Sequence, residues 1–595
     1  MQLTFLRKPV TWLKVSPMSS NHGVNSRENS NVNPSANPRL NRRVFLQSAA
    51  AAVAATAIGA GGAYAARRGT VSTPEDPTPA DQWALPFLHG VASGDPLPDR
   101  VVLWTRVTPS REALPGSGLG EDVELEWQID TSDNFTNPRT GTVTATAASD
   151  HTVHVDPDGL EAGTEYFYRF VVKSGEYAGQ ASPIGRTLTA PSADAELDHL
   201  NLAIASCANW ESGFFSAYGD MAKRARAGEI DHVVFLGDYI YEYPTGEYAG
   251  KSGVARMHHP EWEITTLEDY RQRYGRYRTD FNLQAAHAAC PWIVVWDDHE
   301  TANNSWVGGA ENHTDGRVEG EWPERLSAAV QAYFEWLPVR AQTEEQLLYR
   351  SFTFGKLAQL TMMDLRSYRD EETTGDQFGE DSRTMLGEEQ FKWVAQQLQR
   401  SDARWDVLGN SVMVSPMRFV TISNNEKANV ATGYMQERAT GIAANSDQWD
   451  GYAAERDRLL TMLDEQESNA LFLTGDIHSE WANSIVSPSG FGEIGCEMVT
   501  TSISAPNVDE ILTDVFGTYH KEDNSTSLLV EKVIRDYNPW VNHIDFDAHG
   551  YGIASIHYDY VDMLYYRVSD VEDPDAAVSL GTKRQWRIGE GFVEA

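Results

Sequence analysis

Five short apolar runs, NLAIASC (201–207), HVVFLGD (232–238), WIVVWDD (292–298), QLTMMD (359–364) and ALFLTGD (470–476), each stop at a Cys or an Asp. Segments with helical periodicity separate them. In LGEEQFKWVAQQL (386–398), Phe391, Val394 and Leu398 fall on one face, and Glu388 and Glu389 sit in the first turn, where the helix dipole favours acids. Buried strands alternating with helices define an α/β sheet. In open α/β sheets ligands bind beyond the carboxyl ends of the strands, so the residues that close several runs converge on one place.

Upstream the pattern changes. Val123, Leu125, Trp127 and Ile129 alternate with Glu124, Glu126 and Gln128, the period of a half-buried strand. Further strand-like runs at 153–155 and 166–172 are divided by Asp156-Pro157-Asp158-Gly159, so residues 84–192 read as a small β-sandwich. The run from Leu160 to Tyr166, LEAGTEY, resembles the tyrosine corner of fibronectin type III domains. Residues 198–595 remain for the α/β catalytic unit.

The amino terminus reads as an address. Arg42 and Arg43, then Phe45 and Leu46, then an Ala- and Gly-diluted apolar stretch ending at Ala63-Tyr64-Ala65, look like a twin-arginine export signal. The expectation is a signal with an Asn/Ser-rich extension over 1–65, a linker over 66–83, passage through the twin-arginine translocation machinery, and a periplasmic or extracellular destination. An uncleaved anchor would leave the same catalytic unit outside the membrane. That route carries folded proteins, which suits an enzyme loaded with metal before export.

Charge narrows the partners. With 48 Lys+Arg against 86 Asp+Glu the formal net charge is −38, which repels nucleic acid and anionic membranes as primary partners. An acidic surface also serves solubility alone. An anionic phosphate ester would need local cations to approach. The three cysteines, Cys207, Cys290 and Cys496, are too few for a disulfide framework, and pairing of Cys290 with Cys496 is left open.

The strand ends supply Cys207, Asp238, Asp297, Asp298 and Asp476. Beside them lie Tyr241 in GDYIYE, His299, Asn303 and Asn304 in WDDHETANN, and His478 in GDIHSEWA. Thiolate, phenolate and imidazole suit a transition ion, whereas carboxylate and amide oxygens suit Ca²⁺ or Mg²⁺, which points to a mixed-metal site. Singly, each has an ordinary reading: turn chemistry for Gly-Asp, an inert buried thiol, a core histidine, alternating strand tyrosines. The ordered combination of strand-Cys, strand-GDxxY, strand-DDHExxNN and strand-GDxH is what carries information.

That order resembles the calcineurin-like metallophosphoesterases and, within them, the PhoD alkaline phosphatases, through ASC, GDYIYEY, WDDHE, DLRSYRD and LTGDIH and, upstream, FLHGVASGDPLPDRVVLWTRV (87–107). The resemblance implies a metallophosphoesterase-type α/β sandwich preceded by a fibronectin/Ig-like β-sandwich. It implies a ferric ion (Fe³⁺) bound by Cys207, Asp238, Tyr241 and His478, and one or two calcium ions (Ca²⁺) held by Asp238, Asp298, Asn303 and Asp476, with Asp238 bridging. Other divalent metals fit the same oxygen ligands. The choices of Asp298 over Asp297 and Asn303 over Asn304 rest on register.

The implied reaction is attack on phosphorus by a metal-activated water or oxide. Arg366 and Arg369 are candidates for bonds to phosphate oxygens, with a structural ion pair as the alternative, and His299 for positioning a ligand or assisting the leaving group. Expected substrates are small phosphate monoesters, with nucleotides and phospholipid head groups in range and phosphodiesterase activity alongside. Phosphodiesterase or phospholipase D action as the main activity, an iron oxidoreductase and a non-catalytic extracellular binding protein are the alternatives. Glu242–His259 is a candidate lid. Late in the chain Trp540 replaces the histidine of the family's Asn-Pro-His element, with His543 and His549 nearby.

Overall fold

The computed structural model describes residues 85–594 apart from 317, 341–346, 374–378, 419–436, 439–440, 443–444, 491 and 512–523. The expected export signal and linker lie outside the described residues.

The first strands are β1 (Val91–Leu97), β2 (Arg100–Arg106), β3 (Val123–Asp130), β4 (Arg139–Ala145), β5 (Thr152–Val155), β6 (Glu165–Val172) and β7 (Gly185–Leu188). Alternation does what it foretells: Val123, Leu125 and Ile129 of β3 meet Tyr166, Tyr168 and Phe170 of β6 in one core, packed against Val101 and Leu103 of β2. The tyrosine corner forms, with the Glu161 N–H donating to Tyr166 Oη at 2.9 Å.

The catalytic elements follow as β8 (Leu200–Ala205), α1 (Ser216–Arg226), β9 (His232–Leu236), α2 (Leu267–Tyr277), α3 (Phe281–His287), β10 (Trp292–Val295), α4 (Trp322–Trp336), β11 (Arg350–Phe354), β12 (Ala358–Met362), α5 (Gly387–Arg400) and β13 (Trp405–Asn410). After a short hairpin, β14 (Glu437–Arg438) and β15 (Gly441–Ile442), come α6 (Ala453–Glu465), β16 (Ala470–Thr474), β17 (Glu480–Val486), β18 (Glu493–Val499), α7 (Ser525–Tyr537) and β19 (Val541–Asp545). The chain closes with β20 (Gly550–Ile556), β21 (Tyr560–Val568), β22 (Val578–Arg587) and β23 (Gly591–Val593).

Two large sheets result, ordered β23-β22-β21-β20-β8-β9-β10-β1-β2-β5 and β11-β12-β13-β16-β18-β17-β19; a four-stranded sheet is ordered β4-β3-β6-β7. One apolar core, holding Ile204, Val234, Phe235, Leu360, Val407, Leu471 and Met498, draws on both large sheets. The parallel strands β8, β9, β10, β13 and β16 are buried almost throughout, which is why they read as unbroken apolar runs.

Residues 84–192 keep a core of their own, yet β1, β2 and β5 are hydrogen-bonded into the larger catalytic sheet. The junction is parallel, Gly94 of β1 against Trp292 of β10. A Cβ at Gly94 would lie 2.2 Å from the Pro338 carbonyl oxygen and 2.7 Å from that of Trp292, so only glycine lets the strands meet. A hydrophobic pattern marks a strand but not the edge it joins.

Among the described residues no helix is long and apolar enough to cross a membrane. All three cysteines are buried and free, so Cys290 and Cys496 do not pair.

Candidate metal centre

The first large sheet ends in Cys207 after β8, Asp238 after β9 and Asp297–Asp298 after β10; the second brings Asp476 and His478 after β16. Each end bends sharply. Of ten non-glycine residues with positive φ among the described residues, five are here: Cys207 (59°), Asp238 (56°), Asn304 (51°), Asp476 (65°) and His478 (49°). Left-handed backbone costs a residue with a Cβ about 1 kcal/mol or more, and such strain collects at functional sites. Gly237 permits the crowding, since a Cβ there would stand 2.3 Å from that of Asp297.

The side chains converge. Ligand atoms of Cys207, Asp238 and His478 lie within 4.8 Å of one another, as do those of Asp238, Asp298 and His299, and of Asp297, Asp298 and Asp476. Tyr241 Oη is 3.0 Å from Asp238 Oδ2 and 3.2 Å from His478 Nε2. His478 Nδ1 is 2.7 Å from the Pro506 carbonyl, which can only accept, so that nitrogen carries the proton and Nε2 turns its lone pair to the cluster. A cleft of about 70 Å³ opens over Asp238, Asp298, His299, Asn303, Asp476 and His478, walled by Tyr248.

Without a cation this assembly is electrostatically unfavourable. Burial, reinforced by the neighbouring carboxylates, pushes Asp238 and Asp476 well above the usual carboxylate range. Burial and then Asp238 do the same to the Cys207 thiol and the Tyr241 hydroxyl. Oδ1 of Asp238 is buried with no hydrogen-bond partner. An orphaned carboxylate oxygen ringed by a thiol, a phenol and an imidazole lone pair is a set of donors that lacks only positive charge, and bound metal fits it.

Asp298 and Asp297 face different partners. Asp298 Oδ1 accepts from the His299 N–H at 3.1 Å and Oδ2 from the Asn304 N–H at 2.6 Å, and Asp298 borders the cleft. Burial would raise it, but Arg366 and His299 hold its carboxyl low. Asp297 points elsewhere, to Arg366 and to the Ser411 hydroxyl at 2.7 Å. Asn303 and Asn304 both border the cleft, and both side-chain amides donate to Glu311 Oε2, at 2.9 and 2.7 Å.

Arg366 and Arg369 have a different geometry from the phosphate-binding one expected. Arg366 forks onto Asp297 at 2.6 and 2.8 Å and onto Asp447 at 3.0 Å twice. Arg369 donates to Asp447 Oδ1 at 2.7 Å and to the carbonyls of Ser305 and Asp447. Both guanidinia are buried and neither borders the cleft, so they fit the structural ion-pair alternative and brace the cluster from behind.

His299 does border the cleft. Its Nδ1 lies 2.7 Å from Glu242 Oε2, and Glu242 Oε1 accepts from the Asn303 N–H and the Asn312 amide, each at 2.7 Å. Burial would lower the imidazole, yet Glu242 and Asp298 raise it well above its ordinary value.

Five contributors escaped the sequence reading. Glu242 and Glu300 lie inside GDYIYE and DDHE, where the carboxylate at the motif's end was the available signal. Glu300 accepts the N–H groups of Asp238, Tyr239 and Asp297, tying two strand ends together. Asn445 and Asp447 close none of the apolar runs and gave no signal. Tyr248 belongs to the expected lid, but that segment is a pinned wall: Glu211 accepts the N–H groups of Gly246 and Tyr248, and Arg273 donates to the Tyr241 and Tyr243 carbonyls.

His543 and His549 stay out of the cleft, pairing with Glu480 at 3.2 Å and with Ser502 and Asn507 at 3.0 and 3.1 Å. Trp540 donates to the Pro416 carbonyl. Asp364, at the end of the fourth apolar run, accepts from Trp296 Nε1.

Two stacked sheets that deliver thiol, phenol, imidazole and carboxylates to one buried cleft define a metal-dependent phosphoesterase frame. Residues 202–565 match the PhoD-like phosphatase family and residues 72–191 its N-terminal domain. Alkaline phosphatase D of Bacillus subtilis (strain 168) is 38% identical over 439 residues, 71% of this chain and 70% of that protein. A solved structure described as "Structure of PhoD" superposes with a TM-score of 0.71 at 33% identity, covering 87% of this chain and 92% of that one. The chain belongs to the PhoD-like phosphatase family, and its expected fold class and enzyme class hold.

Proposed function

We propose that the chain works as an exported alkaline phosphatase holding one ferric ion and one or two calcium ions, cleaving phosphate monoesters with phosphodiesterase activity alongside. The observation that carries this is the partition of donors around Asp238, with Cys207, Tyr241 and His478 on one side and Asp298, Asn303 and Asp476 on the other. The first set suits Fe³⁺ and the second Ca²⁺. When bound, the metals supply an acidified water and positive charge for the phosphoryl oxygens.

The protein's own groups supply order. Glu242 fixes the His299 ring through Nδ1 and leaves Nε2 toward the cleft, where it serves the leaving-group oxygen. Arg366 forks onto Asp297 and Asp447 and, with Arg369, holds the Asp447 carboxyl low against the burial that would raise it, so the cluster keeps its shape as charge enters it. The cleft of about 70 Å³ accommodates a phosphoryl group rather than its leaving group, which keeps nucleotides and phospholipid head groups in range. Export rests on Arg42, Arg43 and the small-residue site at Ala63–Ala65, with the twin-arginine machinery as carrier.

The test is hydrolysis of an aryl phosphate monoester and its diester by the purified mature chain, with calcium and with a chelator, beside elemental analysis. Monoester turnover lost to the chelator, with iron and calcium recovered, supports the reading. Preference for the diester moves the main activity to phosphodiesterase, and no iron in an active enzyme overturns the ferric assignment.

A further inference from the structure

Strands β9 and β10 run parallel and in register up to Leu236 opposite Val295, where the ladder ends. Beyond that pair the backbone of β9 bends into the left-handed region, with Gly237 at φ 100° and Asp238 at 56°. The N–H groups of Asp238, Tyr239 and Asp297 thus lie past the last ladder pair, at buried residues. Buried amides need acceptors from elsewhere.

Glu300, itself buried, accepts all three. Its Oε2 accepts from Asp238 at 3.1 Å and from Asp297 at 2.9 Å, and its Oε1 from Tyr239 at 2.6 Å. Reaching back three residues to Asp297 is what the glutamate of a capping box does, and a helical turn opens here, with the Thr301 and Ala302 N–H groups on the Asp298 carbonyl at 2.8 Å. The bonds to Asp238 and Tyr239 go beyond that local device. They reach 62 and 61 positions back in the chain, so one oxygen, Oε2, serves the ends of two strands.

What stands on those ends gives the tie its consequence. Asp238 belongs to two of the converging donor groups, one with Cys207 and His478 and one with Asp298 and His299. Asp298 directly follows Asp297. Their separation is therefore set, through the backbone, by a carboxylate that neither borders the cleft nor belongs to any of the donor groups. A carboxylate only accepts, on both oxygens, whereas a glutamine would turn its own N–H₂ toward a backbone N–H. An aspartate keeps the charge but is one methylene shorter, and should reach one strand end rather than both.

We infer that Glu300 is a positioning residue for the metal centre: it holds Asp238 and Asp298 in their present arrangement before any cation binds, so that binding needs little rearrangement. The inference rests on the proposed metal occupancy.

The test is calorimetric titration with calcium of the full, purified chain after EGTA treatment, comparing the native protein with Glu300→Gln and Glu300→Asp. Both variants should bind calcium about 10–100-fold more weakly, the usual cost of losing a group behind a ligand, and excess calcium should bring aryl phosphate turnover back toward the native rate. Native affinity in both, with only a lower melting temperature, assigns Glu300 to folding alone and overturns the inference. Native affinity in Glu300→Asp, with loss only in Glu300→Gln, also overturns it, by showing that charge and not span is what counts. Should neither variant fold, hydrogen–deuterium exchange of the native chain decides. The Asp238, Tyr239 and Asp297 amides should stay protected once all metal is chelated, and their release would show that the metals, not Glu300, hold the strand ends. A native chain that binds no calcium overturns the calcium reading itself, and this inference with it.

Discussion

The Tyr241 hydroxyl donates to Asp238 Oδ2 at 3.0 Å while the other oxygen of the same carboxylate is buried without a partner. One side chain therefore holds Asp238 in place and also offers a ligand of its own. Tyr241→Phe keeps the ring packed on His299, at 4.3 Å between centroids, and removes only the oxygen. The expected result is a folded protein that loses its visible absorption band and about 10²-fold or more of its turnover, an effect of ~3 kcal/mol on the barrier. A band that persists in the variant overturns the proposed bond between Tyr241 and a ferric ion.

Arg366 stands among four carboxylates, forked onto Asp297 and Asp447 and 3.7 Å from Asp298 and from Asp476. Arg366→Met leaves buried charges uncompensated and should cost about 3–5 kcal/mol of stability. The exposed pair Lys392–Glu388 is the control, with Lys392→Ala expected to cost under about 1 kcal/mol. Denaturant midpoints measure both, and equal small shifts would remove the brace.

Glu242 reaches the chemistry only through His299 and Asn303. With Glu242→Gln, turnover of an alkyl phosphate should fall about tenfold further than that of 4-nitrophenyl phosphate, because only the poor leaving group needs a proton. Iron and calcium content should be unchanged. A uniform fall on both substrates would assign Glu242 to folding alone.

Burial pushes the Glu211 carboxyl up to about 7, against the Gly246 and Tyr248 N–H groups that it accepts. A raised carboxyl binds more protons folded than unfolded, so its contribution is present below the ordinary carboxylate pKa and is lost as pH rises toward 7. The melting temperature of the native chain relative to Glu211→Gln should therefore fall between pH 5 and 8, by the equivalent of up to about 3 kcal/mol. A gap that stays constant with pH would show that Glu211 titrates normally.

Much of the candidate centre was legible because the side chains that converge there close buried strands: the apolar runs ending at Cys207, Asp238, Asp298 and Asp476 supply both sheet core and cleft. Asp447 was not legible. It closes none of the apolar runs, and its importance comes from two arginines some eighty residues earlier in the chain. Arg366 and Arg369 were found by motif, but which carboxylates they face is a matter of tertiary geometry that residue type does not encode. The contacts of Glu242–His259 were illegible for the same reason: the buried Glu211 and Arg273 that hydrogen-bond the segment lie outside it.

The hydrogen-bonded seam at Gly94 and Trp292 sets an order of assembly. Its two sides are about 200 positions apart in the chain, so β1 has no neighbour on that edge until the whole stretch through β10 has been synthesised. Closure over such a span is entropically slow, and the unpaired edge is open to wrong partners meanwhile. The amino-terminal sandwich is thus no detachable accessory. Cutting it away, or exchanging it for another β-domain, would unzip one edge of the sheet whose strand β10 leads into Asp298 at the cleft.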